Sequence, residues 1–238
     1  MKRGRPSAWE TAKKYQRNKK PRTTPDPRKR IVPGYTRSVG NYGRYNQRLT
    51  GLGPEKKFFD TALSFNIDAT GEVPTGCQLN LIPQGDTEST RDGRKAYIKS
   101  IQIRGYFTIV PAAAAVAADV AYMYLVLDTQ CNGAAAAVTD VFTSTTMSTN
   151  QLQLNNSGRF RILKRWVVGM NSEAGVSTAY NNKIRPIEFF KKCNIPIDWN
   201  AATGAITEIR SNNLFLIAGA ILDDVTTFNG SCRIRFMG

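Results

Sequence analysis

Histidine is absent from the 238-residue chain, which removes the side chain on which most catalytic triads, imidazole metal sites and pH switches near neutrality depend. Cys77, Cys131, Cys193 and Cys232 form no CxxC pair. With no histidine to complete a ligand set, neither a metal site nor a cofactor is expected. The N-terminus is charged from its first residues and reads as no signal peptide, so the thiols are expected to be reduced or buried, and the sequons at Asn155 and Asn229 unused. No apolar run approaches the roughly 18 residues of a transmembrane helix. The strings GxGxxG, GxxxxGK[ST] and G-x-S-x-G do not occur, and the close charged pairs, Asp92 with Lys95 and Asp223 beside Asp224, fall in turn-rich segments where solvated turn residues are the ordinary reading. An enzyme is not expected.

Acidic residues are scarce in one part of the chain only. The formal charge is +15, yet residues 58–238 carry 16 basic and 15 acidic side chains, whereas residues 1–57 carry 17 and 3. A near-neutral body therefore bears a cationic arm. Prolines 6, 21, 25, 27 and 33 interrupt any long helix in it, and few apolar side chains are available to bury one another, so residues 1–57 are expected to be largely disordered. Among its cations Lys2, Arg3, Arg5, Lys13, Lys14, Arg17, Lys19, Lys20, Arg22, Arg28, Lys29, Arg30, Arg37, Arg44 and Arg48 are candidates for contact with nucleic-acid phosphates. Lys19, Lys20, Arg22 and Arg28, Lys29, Arg30 also form two clusters of the kind a nuclear import receptor reads, and the sequence does not separate the two uses. Between residues 34 and 53, Tyr35, Tyr42 and Tyr45 alternate with arginines, a composition suited to stacking on unpaired bases and hence to single strands over duplex.

Beyond residue 57 the dominant period is two. Ile101, Ile103, Gly105, Phe107 and Ile109 alternate with Gln102, Arg104, Tyr106 and Thr108, predicting a long half-buried strand over 98–110 that ends at Pro111. Further strands are predicted over 58–68, 120–128, 159–168, 183–193, 213–222 and 228–236, with a short one at 195–199. A helical turn or two is expected within 134–142. In the last strand Cys232, Ile234 and Phe236 alternate with Arg233 and Arg235, so those two arginines form either a solvated sheet face or a second patch for the polyanion. About eight strands without regular crossover helices predict an all-β fold, a jelly roll of two antiparallel four-stranded sheets.

The block Asn80-Leu81-Ile82-Pro83-Gln84-Gly85-Asp86-Thr87-Glu88-Ser89-Thr90-Arg91-Asp92-Gly93-Arg94-Lys95, followed by Ile98-Lys99-Ser100-Ile101-Gln102-Ile103-Arg104-Gly105, resembles the capsid proteins of circovirus-like, Rep-encoding circular single-stranded DNA viruses. Phe160 to Lys164, Phe190-Lys191-Lys192, Ser211 to Leu216 and Arg233-Ile234-Arg235-Phe236 are similar to later parts of the same family. The resemblance implies a single viral jelly roll over 58–238, an icosahedral (T=1) shell of sixty copies, an internal arm that packages circular single-stranded DNA (or RNA on heterologous expression), and residence in the virion and the host nucleus. Nuclear import receptors and a host surface glycan or receptor are the implied host partners. Within such a shell Phe142, Tyr180, Phe189 and Trp199 are candidate aromatic anchors between subunits, with a core role for each as the competing reading.

Two other functions fit parts of the sequence. One is a non-capsid, single-stranded nucleic-acid-binding β-sandwich that presents the arm as a monomer or small oligomer. The other is a carbohydrate-binding jelly roll using Trp166 and Trp199, which leaves the arm without a role.

Overall fold

The computed structural model describes residues 56–109, 118–131, 133–171 and 184–238. Eight strands run in the order β1 (Lys57–Ile67), β2 (Lys95–Ile109), β3 (Ala118–Asp128), β4 (Phe160–Asn171), β5 (Arg185–Trp199), β6 (Ile209–Ser211), β7 (Asn213–Gly219) and β8 (Thr226–Met237), with one α-helical turn, α1 (Val138–Val141), and a 3-10 turn (Leu154–Asn156) between β3 and β4. All named strand pairs are antiparallel. They form a five-stranded sheet, β1-β8-β2-β5-β6, and a three-stranded sheet, β4-β3-β7.

The division is therefore five and three where four and four was expected, for two local reasons. The three-residue β6 extends the first sheet by pairing only with Asp198 and Trp199. The missing fourth strand of the second sheet is the segment 72–79, which lies along β7 but is broken. Glu72 and Ala218 exchange backbone hydrogen bonds at 2.8 and 2.9 Å, Leu79 N–H donates to Leu214 O at 2.8 Å and Leu216 N–H to Cys77 O at 3.0 Å. Between these contacts Pro74 lacks a donor and Gly76 takes φ +80°, so the ladder cannot continue.

The pairings nest. β1 lies against β8, segment 72–79 against β7, β2 against β5 and β3 against β4, as though one long ribbon had been folded over. Contacts of β8 with β2 and of β7 with β3 then close the two sheets. This is a β-sandwich resembling a viral jelly roll.

Register explains which side chains enter the core. Ala96 and Ile98 point inward at even positions of β2, but Ile101, Ile103, Phe107 and Ile109 do so at odd ones. The phase change falls at the bulge between Ile98 and Ser100, where β8 advances one residue while β2 advances two. Opposite them, Phe228, Cys232, Ile234 and Phe236 of β8 are equally buried. Gly105 and Gly230 face one another across this pair; a Cβ on Gly230 would stand 2.3 Å from Arg104 O.

The smaller sheet is buried on both faces, since Tyr124, Val126, Phe215 and Ile217 pack outward against Val138, Val141, Phe142 and Met147 of the β3–β4 connection. Double burial is why β7, Asn-Leu-Phe-Leu-Ile-Ala-Gly, reads as a continuous apolar run without alternation. The expected separate strands over 183–193 and 195–199 are one strand, β5. Pro186 and Pro196 are accommodated because the side of β5 away from β2 is paired only at its end, by β6. The helical turn expected within 134–142 is α1, where Asp140 Oδ2 accepts from Ala137 N–H at 2.9 Å.

Candidate nucleic-acid interface

The block 80–95 folds around a buried arginine. Arg91 is wholly enclosed. Its Nε donates to Ile82 O at 2.9 Å, its two terminal nitrogens donate to Gly93 O and Ala201 O, and the guanidinium lies 4.6 Å from the centre of the Trp199 ring. Planar donors directed three ways are what guanidinium supplies and ammonium does not. Burial lowers the Arg91 pKa, and the charge of Glu208 opposes that shift. Glu208 accepts from Thr203 Oγ1 at 2.5 Å and from Gly204 N–H at 2.8 Å, and these bonds hold its carboxyl below the usual range. Gly204 in turn packs against the Ile82–Pro83 backbone, where a Cβ would approach to 2.7 Å. The loop also holds the start of β1, because Phe58 N–H donates to Glu88 O at 3.0 Å and the buried Lys57 ammonium bonds to Asp92. Arg91 is thus a structural staple, spent on the chain's own loops.

The outward face of the five-stranded sheet carries a group of solvent-facing cations. Strand register places Asp60, Arg233, Gln102 and Phe190 in one row, Ala62, Ser231, Arg104 and Glu188 in the next, and Arg235, Ser100 and Lys192 in the row nearer the bulge. Arg233 is bidentate on Asp60, at 2.7 and 2.6 Å, and Arg104 forks onto Glu188 Oε1 at 2.8 and 2.6 Å. The first pair lowers the Asp60 pKa through the hydrogen bond from Arg233 and raises that of Arg233 in return. Arg235, Lys192 and Lys99 pair with no carboxylate among the described residues. Lys99 instead donates to Asn194 Oδ1 at 2.5 Å and lies 5.2 Å over the Tyr97 ring. Tyr97 and Phe190 are 47% and 49% exposed, so aromatic faces are open beside uncompensated positive charge. Further along the strands, Arg104, Tyr106, Ile184, Pro186, Glu188 and Asn229 line an open hollow of about 700 Å³.

Arg233 and Arg235, for which a solvated sheet face and a second cationic patch were both open, do share one face, and of the two only Arg233 is ion-paired among the described residues. Lys2, Arg3, Arg5, Lys13, Lys14, Arg17, Lys19, Lys20, Arg22, Arg28, Lys29, Arg30, Arg37, Arg44, Arg48 and Tyr180 lie outside the described residues. Two of the four proposed anchors need correction. Trp199 and Phe142 are 0% and 2% exposed, one stacked under Arg91 and the other 4.8 Å from the Tyr124 ring, so both serve the chain's own core. Phe189 is half-buried, edge-on to Trp166 at 5.5 Å. With Trp166 and Trp199 both buried, neither offers a face to a sugar. All four cysteines are free, and only Cys193 is partly exposed. Lys99 and Tyr97 were not assigned to this face by residue spacing, because the bulge in β2 changes which positions share a side, and the unbroken alternation of β5 did not by itself mark Phe190 and Lys192 as their neighbours.

Comparison with known proteins defines the class as coat proteins of single-stranded DNA viruses. The chain belongs to the geminivirus coat protein/nuclear export factor BR1 family, whose model matches residues 3–237. The expected kinship with virus capsids thus holds at that level, and the family reached is the geminivirus one. No curated protein matches the sequence. Among solved structures, the crystal structure of the 60-mer BFDV capsid protein is similar at a TM-score of 0.31 and 8% identity, over 77% of this chain and 93% of that chain.

Proposed function

We propose that this protein is a capsid subunit that self-assembles into a small icosahedral shell and packages circular single-stranded DNA through its cationic N-terminal arm. The observation that carries this reading is the family match from residue 3 to residue 237, which takes in both the arm and the sandwich. Physically, the two parts suit complementary tasks. A body of nearly balanced charge does not repel its copies, while the arm's net positive charge is neutralised by phosphates with release of counterions. The shell is proposed to hold sixty copies, and the 80–105 block favours kinship with circovirus-like coat proteins within the wider class. Expression of the full chain and imaging by electron microscopy should give regular closed particles; subunits that stay monomeric across protein and salt concentrations would contradict the proposal.

Assembly in the nucleus requires import, for which Lys19, Lys20, Arg22 and Arg28 to Arg30 are the proposed signal. Residues 1–35 fused to a large inert reporter should carry it into nuclei, and neutralising those six residues should stop the movement. A second reading has support in the family's own description, which joins coat proteins to a nuclear export factor: a nucleic-acid carrier that binds single strands without closing a shell. Particle imaging separates the two.

A further inference from the structure

Lys99, Lys192 and Arg235, on the outward face of the five-stranded sheet, form no ion pair among the described residues, and they lie together. Lys192 and Arg235 stand opposite Ser100 from the two strands that flank β2, and Lys99 is the bulged neighbour of that serine. At about 4.8 Å per strand, the Lys192 and Arg235 backbones are roughly 10 Å apart. Ser100 between them is small and 6% exposed, so the centre of the triangle is a low point ringed by positive charge. Along the same face Arg233 and Arg104 are neutralised by Asp60 and Glu188, so their charges add little to that of this area. Phe190, next to Lys192 on the same side of β5, and Tyr97, beneath Lys99, leave about half their surface open.

We infer that this face is a single-strand binding site on the shell domain itself, separate from the arm: Lys99, Lys192 and Arg235 hold backbone phosphates, and Phe190 and Tyr97 stack unpaired bases. Charge alone would suit any polyanion. Exposed rings beside the cations select a ligand that presents aromatic faces, and a duplex keeps its bases stacked inside. The hollow beside Tyr106 continues the track along the strands and offers room for a further unstacked base. The inference rests on the packaging proposal for the identity of the ligand, but it concerns different residues.

The test uses full-length subunits and oligothymidylate, with affinity measured against salt concentration. Lys192→Gln with Arg235→Gln should reduce the slope of log affinity against log salt by about 1.4, at about 0.7 per single-strand phosphate contact. Phe190→Ser should weaken binding roughly tenfold with the slope unchanged, as loss of one stacked base does. Ultraviolet cross-linking should give adducts on peptides containing Tyr97 or Phe190. All these side chains are exposed, so melting temperatures should stay at the wild-type value, and a variant that unfolds is replaced by Lys99→Gln read in the same way. Unchanged slope and affinity, with adducts confined to residues 1–57, would overturn the inference and leave arm-based packaging standing. Absence of any single-strand binding by the full chain would overturn both. A loss of heparin affinity equal to that for oligothymidylate, with Phe190→Ser neutral, would overturn base stacking and make the face a general polyanion patch.

Discussion

The Arg91 guanidinium lies 4.6 Å over the Trp199 ring while donating to the carbonyls of Ile82, Gly93 and Ala201. One side chain thereby joins the loop that precedes β2 to the loop that follows β5. Arg91→Ala removes the donors to three carbonyls, Ile82 O in a buried contact and Gly93 O and Ala201 O in part-buried ones, and Arg91→Lys does not reproduce the planar three-way fork. Chemical denaturation should show both variants destabilised, the alanine by about 3 kcal/mol. Trp199→Phe should cost less than either, because the buried indole N–H has no acceptor to lose.

Close approach of β2 and β8 at Gly105 and Gly230 forbids side chains there. A Cβ on Gly230 would meet Arg104 O at 2.3 Å and Gly105 Cα at 2.7 Å, and one on Gly105 would meet Asn229 O at 2.5 Å, all but one of these being backbone oxygen contacts. Gly230→Ala and Gly105→Ala should lower the melting temperature sharply or abolish soluble expression. Gly169→Ala, whose added carbon meets nothing within 4 Å, is the control and should match or slightly exceed wild-type stability.

Acid should weaken the fold through Glu208. Its folded pKa is depressed, chiefly by the Thr203 hydroxyl, so the stabilisation is fully present above the unfolded glutamate value near 4.3 and is lost as pH falls through the lower folded value. Urea midpoints measured from pH 6 down to pH 2 should fall in wild type, and the fall should be shallower in Glu208→Gln. The Asp60–Arg233 pair titrates with the same sign but contributes little, since both side chains are nearly half exposed.

Thiol reactivity should follow burial. Desolvation pushes the Cys77 and Cys232 thiols up to about 12, and Cys131 is also buried and raised. A disulfide reagent at pH 8 should therefore label Cys193 first in the native subunit and the other three only after denaturant is added. Rapid native labelling of Cys232 would contradict the packing of β8.

Much of this fold was legible because the strands of the larger sheet have one wet face. Alternation in Ile101-Gln102-Ile103-Arg104 and in Cys232-Arg233-Ile234-Arg235 reports it directly. The segment 72–79 escaped notice because Pro74 and Gly76 interrupt the pattern that would mark a strand, although its ends still bond to β7. Aromatic anchors were misjudged at Phe142 and Trp199 for a related reason: a large ring in a loop or at a strand end looks available until the covering side chains, here Tyr124 and Arg91, are known. The pairing of Arg233 with Asp60 spans 173 residues, and no local pattern could have marked one terminal arginine as neutralised and its neighbour Arg235 as available.

The division of labour between a tiling sandwich and a cationic leader is tested most directly by deleting residues 1–48 and measuring the ratio of absorbance at 260 to 280 nm in the particles that form. The account predicts closed shells with almost no nucleic acid, the sheet face retaining only a small residue of binding. Shells carrying the nucleic-acid content of full-length particles would contradict it.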